Sequence, residues 1–295
     1  MNEAKLSVVV ASVNGLPYLA ECLEVLERNA PEAAVIVADS TDEATRAVVR
    51  ERFPRVRLLS FDERKTVPEL RAAGVFAAET PYVALIEDHN LVRPDWARTI
   101  VEEHEAGHSV VGGGVANVET ERIRDWAAFL IEYSAFMEPI PAGPIEGLPG
   151  MNVSYDRRAI AAIEDLLREG RWETWLHARL RAEGFELWAR PELTVDHAKD
   201  FGFLEFVQQR FDYARAYAGM RNPELGWKRL LYVLGSPLLP PLIFRRLVTN
   251  VRARPYARRP LRDATPLILF YLCVWSLGEA LGYAFGGGSS LLRVR

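Results

Sequence analysis

The feature that most constrains this chain is the regular alternation, in its first part, of short apolar runs with stretches of helical periodicity. Residues 6–11 are rich in valine and are followed by Asn14-Gly15, a pattern that predicts a buried strand. Residues 18–29 carry leucines at helical spacing. Such alternation is typical of the α/β class, in which a mostly parallel sheet carries helices on both faces. Further strands are predicted at 35–38, 56–60 and 82–86, and further helices at 43–53 and 68–78.

The second part of the chain continues the alternation less regularly. Residues 110–118 predict a strand that is broken by three consecutive glycines at 112–114. Residues 138–150 hold four prolines and several glycines, a composition that predicts a long mobile loop rather than a linker between domains. Helices are also predicted at 97–106, 156–169 and 173–183, and strands at 186–189 and 193–195.

The charge distribution divides the chain into two regions. Nine Lys and Arg residues and no Asp or Glu lie between 228 and 262, although the 295-residue chain has a net charge of −4. The first 227 residues therefore carry a net charge of −13. We expect a globular domain at 1–226 and a basic, apolar helical region at 227–295. The acidic body argues against a nucleic-acid enzyme, since it would repel phosphate groups.

Two features favour a reducing, cytoplasmic setting. Cys22 and Cys273 are too few and too far apart for a disulfide framework or a cysteine-rich zinc site. The first ten residues run straight into a strand, without the basic segment and the small-residue cleavage site of a secretory signal. No secretory signal is therefore predicted.

The tail contains two apolar segments. Residues 265–285 are just long enough to span a bilayer, and Glu279 within them is expected to face protein, a partner subunit or the polar interface. Residues 230–244 are shorter and contain three prolines, so they are expected to dip into a membrane or lie flat on it. The arginines between the segments suit a cytoplasmic, anionic lipid surface. The alternative is a helical hairpin packed on the globular part or on another subunit.

Acidic and histidine side chains follow several predicted strands. Asp39 ends the second strand, Glu87 and Asp88 end the fourth, and His89 and His197 also stand at strand ends. Ligands bind at the carboxyl ends of the strands in such sheets, where carboxylates suit a divalent ion and the diphosphate of a nucleotide. Taken singly, an Asp in such a position is more often a helix N-cap or a turn residue.

Taken in order, a set of segments between residues 5 and 215 resembles glycosyltransferase family 2. Residues 8–14 are similar to the family's opening strand, and residues 35–42 to its second strand and Asp-x-x-Ser-Thr-Asp turn. Glu87-Asp88-His89 stands at the family's Asp-x-Asp position. No single motif is specific, but the ordered set is. The remaining matches are the helix at 71–74, Pro94-Asp95-Trp96, the acceptor-side segment Gly150-Met151-Asn152, the helix at 173–184 and the closing segment 191–197.

The resemblance implies a GT-A-type domain that binds a nucleotide-sugar donor. It also implies a divalent metal, Mn²⁺ or Mg²⁺, held by Asp88, His89 and His197. Because the family's Asp-x-Asp reads Glu-Asp-His in this sequence, weak or absent metal dependence stays open. The donor-binding residues that the resemblance implies are Ala11, Asn14, Asp39, Arg71, Glu87 and Asp88.

The resemblance places Glu173 at the catalytic-base position. A carboxylate on the face of the sugar opposite the leaving group can take the proton of the attacking hydroxyl, which inverts the anomeric centre in one displacement. The implied acceptor is a lipid, a lipid-linked sugar or an envelope glycan, and the chain is compatible with a homo-oligomer. Alternatively, Glu173 simply opens a helix, where the dipole favours an acidic residue. The altered Asp-x-Asp motif also leaves open a catalytically impaired relative that binds a nucleotide-sugar or acts as a membrane scaffold.

Overall fold

The computed structural model describes residues 4–294, so residues 1–3, on which the prediction of no secretory signal partly depends, lie outside the described residues. The chain forms two compact units. The first comprises the chain up to Val118 together with Phe136–Lys199, and the second comprises Glu119–Ala135 together with the chain from Asp200 onward.

The first unit contains an eight-stranded sheet, in the order β3-β2-β1-β4-β9-β6-β10-β8, and a three-stranded sheet, in the order β5-β11-β7. The strands are β1 (Leu6–Ser12), β2 (Ala34–Asp39), β3 (Arg57–Ser60), β4 (Tyr82–Glu87), β5 (Asn90–Val92), β6 (Val110–Gly112), β7 (Val115–Asn117), β8 (Gly143–Ile145), β9 (Val153–Asp156), β10 (Leu187–Ala189) and β11 (Val195–His197). In the large sheet, β1–β4 are mutually parallel, β6 is parallel to β10, and β9 and β8 pair antiparallel with their neighbours. The predicted α/β class with a mostly parallel sheet is confirmed.

The parallel register brings the carboxyl ends of three strands to one edge of the large sheet. Strand β1 is buried along its whole length, as a central strand must be. Ser12 at the end of β1 lies opposite Asp39 of β2, and Ala11 lies opposite Glu87 of β4. Polar residues that are far apart in sequence therefore meet at this edge.

Three helices of the first unit, α2, α3 and α6, begin at side-chain caps. The Asp42 carboxylate accepts a hydrogen bond from the Thr45 backbone N–H (2.8 Å), and Thr66 and Glu69 form a reciprocal capping box. The helices up to residue 182 are α1 (Tyr18–Asn29), α2 (Glu43–Arg52), α3 (Val67–Ala77), α4 (Trp96–Glu105), α5 (Ile123–Tyr133, in the second unit), α6 (Arg157–Ala162), α7 (Glu164–Arg168) and α8 (Glu173–Ala182).

Several local predictions are wrong in the second half of the first unit. The segment 110–118 is not one strand, because β6 and β7 belong to different sheets. A 3₁₀ turn at Pro191–Leu193 precedes β11, so the strand predicted at 193–195 begins at Val195 instead. The loop predicted at 138–150 contains β8, which pairs with β10. The helix predicted at 156–169 is two short helices, α6 and α7.

The second unit is helical and packs closely. A Cβ added to Gly278 would lie 2.5 Å from the carbonyl oxygen of Phe211, and one added to Gly282 would lie 2.5 Å from that of Arg215. The tail beyond residue 226, where the sequence predicts a domain boundary, packs against the long helix that precedes it. Besides α5, the helices are α9 (Phe203–Leu225), α10 (Arg229–Gly235), α11 (Leu239–Arg252) and α12 (Arg258–Phe285).

Buried polar contacts join the helices of the second unit. Arg210 of α9 forms an ion pair with Glu132 of α5 and lies 5.5 Å from the ring centre of Trp275 on α12. The Glu279 carboxylate accepts a hydrogen bond from the Trp275 indole N–H (2.9 Å) and is buried. Glu279 therefore faces protein, one of the settings expected from the sequence.

Two helical stretches are long and apolar enough to cross a membrane, namely Phe203–Arg252 and Pro255–Phe285. Core helices of soluble proteins pass the same test of length and composition, but such helices are mostly buried. Within the most apolar 18-residue window of each stretch, 11% of the window is buried in the first and 39% in the second. The first stretch in particular leaves most of its apolar surface uncovered.

Replacing Gly74 with alanine should destabilise the protein. A Cβ at this position of α3 would lie 2.1 Å from Val9 Cγ1 of β1. Overpacking typically costs about 1–3 kcal/mol of unfolding free energy, which exceeds the ~1 kcal/mol that alanine gains over glycine in a helix. Urea denaturation followed by circular dichroism measures the change. Gly235→Ala, at a helical glycine with open space around its Cβ, is the control; equal stability of the two variants would contradict this packing.

Candidate active site

Asp88 connects the end of β4 to the loop that follows β1. Its Oδ2 accepts hydrogen bonds from the backbone N–H groups of Val13 (2.9 Å), Asn14 (2.7 Å) and Gly15 (3.1 Å). Its Oδ1 accepts one from Asn14 Nδ2 (2.7 Å) and lies 3.2 Å from His89 Nδ1. Burial opposes the charge, but the hydrogen bonds from His89 and Asn14 outweigh it and hold the pKa of Asp88 below its ordinary value. Asp88 is thus a buried carboxylate surrounded by donors.

Asp39 has a similar structural setting at the end of β2. Its carboxylate accepts hydrogen bonds from Ser12 Oγ (2.9 Å), Thr41 Oγ1 (2.7 Å) and Arg46 Nε (3.0 Å), and it is fully buried. Arg46 also pairs with Asp62. Asp39 therefore fixes the loops after β1 and β2 relative to each other.

Arg71 on α3 joins two acidic residues that the sequence analysis had assigned to different tasks. Its Nη2 donates to Glu87 Oε1 (2.5 Å), and its Nη1 donates to Glu173 Oε2 (3.3 Å). The guanidinium lies 5.8 Å from the ring centre of Trp172. Burial works against its charge, but Glu87 and Glu173 prevail and raise the pKa of Arg71. One buried cation therefore positions the predicted donor-side carboxylate and the predicted base.

Gly150 allows this arrangement to form. A Cβ at Gly150 would lie 2.5 Å from both Arg71 Nη1 and Glu173 Oε2. Any larger residue would have to displace the ion pair. The sequence analysis placed Gly150 in the acceptor-side segment. The close approach of Arg71 and Glu173 explains why the chain has a glycine at this position.

His89 and His197 come together from different sheet elements. His89 follows β4, and His197 ends β11, where it pairs with Asn90. Their rings lie 4.7 Å apart, edge to face. Burial, helped by His89 and Lys199, holds the pKa of His197 well below its ordinary value, so its imidazole is neutral. The structure thus brings two of the three predicted metal ligands into contact with each other.

The side chains of this cluster only partly fit the predicted metal site at Asp88, His89 and His197. Among residues 4–294, no group of three or more His, Cys, Asp or Glu side chains is preformed to hold an ion. The oxygens of Asp88 accept protein N–H groups, which leaves them poorly placed for a cation. His89 Nε2, in contrast, is buried without a hydrogen-bond partner and lies 3.6 Å from Glu87 Oε2. The donor types that fit a divalent ion are therefore those of Glu87, His89 and His197.

Lys199 is a site residue that the sequence analysis missed. It is buried, and its Nζ donates to Asn14 Oδ1 (2.7 Å). Asn14 thereby links Lys199 to Asp88, as its Nδ2 donates to that carboxylate. A lysine two residues after the closing-segment histidine was the available signal. Ala11, also named from the sequence, is fully buried in β1, and its carbonyl accepts the Asp88 N–H (3.3 Å).

Comparison with solved structures gives the class of this fold. The mannosyltransferase PcManGT from Pyrobaculum calidifontis, in complex with GDP-Man and Mn²⁺, has a TM-score of 0.57 and 16% identity, covering 93% of this chain and 86% of that chain. TarS 1-349 from S. aureus has a TM-score of 0.52 and 13% identity, covering 96% and 92%. A structure of TarS 1-349 in complex with UDP-GlcNAc matches equally well, at 14% identity. The fold is that of the GT-A glycosyltransferases.

Sequence comparison narrows the class to a family. Residues 7–163 match the family model for glycosyl transferase family 2, and the chain belongs to this family. The succinoglycan biosynthesis protein ExoO of Rhizobium meliloti (strain 1021) is 31% identical over 101 residues. The aligned part covers 33% of this chain and 29% of that protein, so the chain matches less than a third of that relative's length. The family resemblance inferred from the ordered motifs is confirmed.

Gly150→Ala should lower turnover while the protein stays folded. The added methyl group must push apart Arg71 and Glu173, and small displacements of catalytic groups can reduce rates by a factor on the order of 10². Donor consumption under saturating conditions measures the effect, with circular dichroism as the folding check. Gly147→Ala in the same loop has open space around its Cβ and should behave as wild type. Wild-type turnover in Gly150→Ala would contradict the proposed steric role.

Proposed function

We propose that the protein transfers a sugar from a nucleoside-diphosphate donor to an acceptor hydroxyl. The observation that carries the proposal is the pairing of Arg71 with both Glu87 and Glu173 at the carboxyl edge of the sheet. This edge is where ligands bind in open α/β sheets. The GDP-Man and UDP-GlcNAc complexes of the two structural neighbours support the donor class.

Glu173 acts in this proposal as the general base. It opens α8 and its side chain is 21% exposed, so a substrate can reach it, while Arg71 fixes one of its oxygens. The acceptor hydroxyl gives its proton to Glu173 as its oxygen bonds to the anomeric carbon. The bond from that carbon to the diphosphate oxygen breaks on the opposite face, and the nucleoside diphosphate leaves. This single displacement inverts the anomeric centre.

The charge of the leaving diphosphate must be stabilised as it develops. Lys199 beside Asn14 provides a fixed positive charge near the end of β1. We propose that Glu87, His89 and His197 hold a divalent cation, in place of the set containing Asp88 that the sequence suggested. Such an ion, when bound, neutralises charge on the diphosphate. The unpartnered Nε2 of His89 supports this assignment.

The loops after β1 and β2 form the nucleotide side of the proposed site. Asp39 and Asp88 hold these loops by hydrogen bonds rather than presenting free carboxylates. Asn14 and the backbone beyond Ala11 then line the donor. The donor contact that the resemblance implied for Asp39 is, in this proposal, made by the loop that Asp39 holds in place.

The proposed acceptor is a lipid, a lipid-linked sugar or an envelope glycan at the cytoplasmic face of the cell membrane. Nucleotide-sugars are cytoplasmic, and the uncovered apolar surface of the second unit with its cationic stretch supports a lipid surface nearby. ExoO, named for succinoglycan biosynthesis, is a family relative with a glycan product. The alternative is a catalytically impaired protein that only binds the nucleotide-sugar. A measurement of donor turnover distinguishes it from a transferase.

Glu173→Gln should keep nucleotide affinity and lower turnover by a factor on the order of 10² or more, because the amide cannot accept the proton. Isothermal titration with nucleoside diphosphate and a donor-consumption assay give the two quantities. Glu164→Gln, at an exposed glutamate paired with Arg168, is the matched control. Turnover near the wild-type rate would remove Glu173 from the mechanism, and a wild-type protein that binds nucleotide without turnover would favour the impaired relative.

A His89→Ala, His197→Ala double variant should lose Mn²⁺-dependent nucleotide affinity. Both imidazoles are nitrogen ligands in the proposed set, and the double variant leaves only Glu87. Calorimetry with and without Mn²⁺ measures the difference directly, without relying on activity. His108→Ala, at a partly exposed histidine elsewhere in the unit, should leave it unchanged. Equal Mn²⁺ enhancement in the double variant and the wild type would show that the coordination proposed here is wrong.

A further inference from the structure

A row of exposed apolar side chains runs along one face of the second unit. Helix α10, the 3₁₀ turn Ser236–Leu238 and helix α11 follow one another almost without a break. The exposed residues recur every three or four positions, which places them on one helical face. Their exposed fractions lie between 57% and 77%. The leucine stripe consists of Trp227, Leu230, Leu234, Leu238 and Leu242.

The opposite face of the same helical run packs on α12. Ser276 Oγ donates to the carbonyl oxygen of Ser236 (2.7 Å), and the rings of Tyr232 and Tyr283 lie 5.1 Å apart. Both Tyr232 and Ser236 are two positions from Leu234, which is about half a helical turn. The leucine stripe therefore faces away from α12, and nothing else in the described part of the second unit buries it.

Cationic residues stand at both ends of the leucine stripe. Lys228 and Arg229 are exposed at its start, and Arg245 and Arg246 are exposed just beyond its end. No Asp or Glu occurs between residues 226 and 262. Long basic side chains can lay their methylene groups along an apolar surface while their charges reach phosphate groups. An apolar stripe with cationic ends and no acidic residues matches an anionic lipid surface.

A second copy of this chain is a poorer occupant of the same face. A twofold contact through the leucine stripe would bring the cationic ends of the two copies close to each other, without acidic partners on either. A membrane-spanning orientation is also disfavoured, since the run contains Pro237, Pro240 and Pro241 and is packed along α12 on one side.

We propose that the leucine stripe is the docking surface by which this protein lies on an anionic bilayer, with the α10–α11 run parallel to the membrane plane. Trp227 and the leucines enter the interface, and the four flanking cations contact lipid phosphates. The proposal rests on the membrane-associated glycosyltransferase proposed above, and it specifies which surface meets the membrane and which lipids that surface prefers.

Sedimentation with lipid vesicles tests the proposal on the 295-residue chain. The chain should co-sediment with vesicles of phosphatidylglycerol and phosphatidylcholine, less with phosphatidylcholine alone, and less at high salt. Leu234→Glu with Leu238→Glu should abolish binding. Arg245→Ser with Arg246→Ser should weaken it on the order of tenfold or more, since each basic residue near such a surface contributes roughly fivefold in affinity.

Two control variants are matched to these changes. Ile123→Glu alters an exposed apolar residue outside the stripe, and Arg50→Gln with Arg52→Gln removes two exposed arginines of the first unit. Both should bind vesicles as the wild type does. Leu234→Gln with Leu238→Gln, which adds no charge, should also lose binding if the apolar contact is responsible. Circular dichroism and nucleotide binding show that each variant is folded.

Several outcomes would overturn the docking surface. They are wild-type binding by the leucine variants, equal binding to neutral and anionic vesicles, and binding that resists alkaline extraction as a spanning helix does. Dimers in light scattering that the leucine variants dissociate, without vesicle binding, would assign the face to a second copy instead. Donor turnover without vesicles is measured separately, so a failure of the transferase proposal is distinguishable from a failure of docking.

Discussion

The hydrogen bonds that converge on the Asp88 carboxylate hold together the edge of the sheet that carries the candidate site. Three successive backbone N–H groups and the Asn14 amide point at one buried charge, and charge-assisted hydrogen bonds of this kind are among the strongest in proteins. Without them the carboxylate would be a costly buried ion. The loop after β1 and the placement of His89 both follow from this one residue. The middle residue of Glu-Asp-His therefore accepts hydrogen bonds from the protein itself, whereas the proposed cation ligands are its two neighbours.

Arg71 gives the site its second constraint. Because one guanidinium pairs with both Glu87 and Glu173, the donor and acceptor sides of the proposed reaction share a single reference point. Gly150 makes room for that pairing. A buried arginine held by two carboxylates keeps its fork geometry in a way that lysine cannot reproduce. The distance between Glu87 on the proposed donor side and Glu173, the proposed base, is therefore fixed by Arg71 within the fold.

Much of this architecture could be predicted from the sequence, because strong periodicity and capping residues act locally. The bounds of α1 agree with the predicted helix, and β1 and β4 extend only one residue further. Elements in the second half were harder to predict. The sequence did not predict β9 or α5, and it predicted one strand where β6 and β7 enter different sheets. Periodicity does not record which sheet a short strand enters. Motif resemblance singled out His89 and His197, whose rings lie in contact, but it could not show that the Asp88 oxygens accept hydrogen bonds from protein N–H groups.

The chain passes from the large sheet to the small one at three places. The crossings are Asp88-His89, between β4 and β5, Gly113-Gly114, between β6 and β7, and residues 190–194, between β10 and β11. His197 and Lys199 arrive on or just after the small sheet, while Glu87 belongs to the large one. The distances between these polar groups are consequently set by how the two sheets lie against each other. A substitution at Gly113, where a Cβ would press on Leu193, would therefore shift one sheet against the other and change the distances between these polar groups without altering any of them.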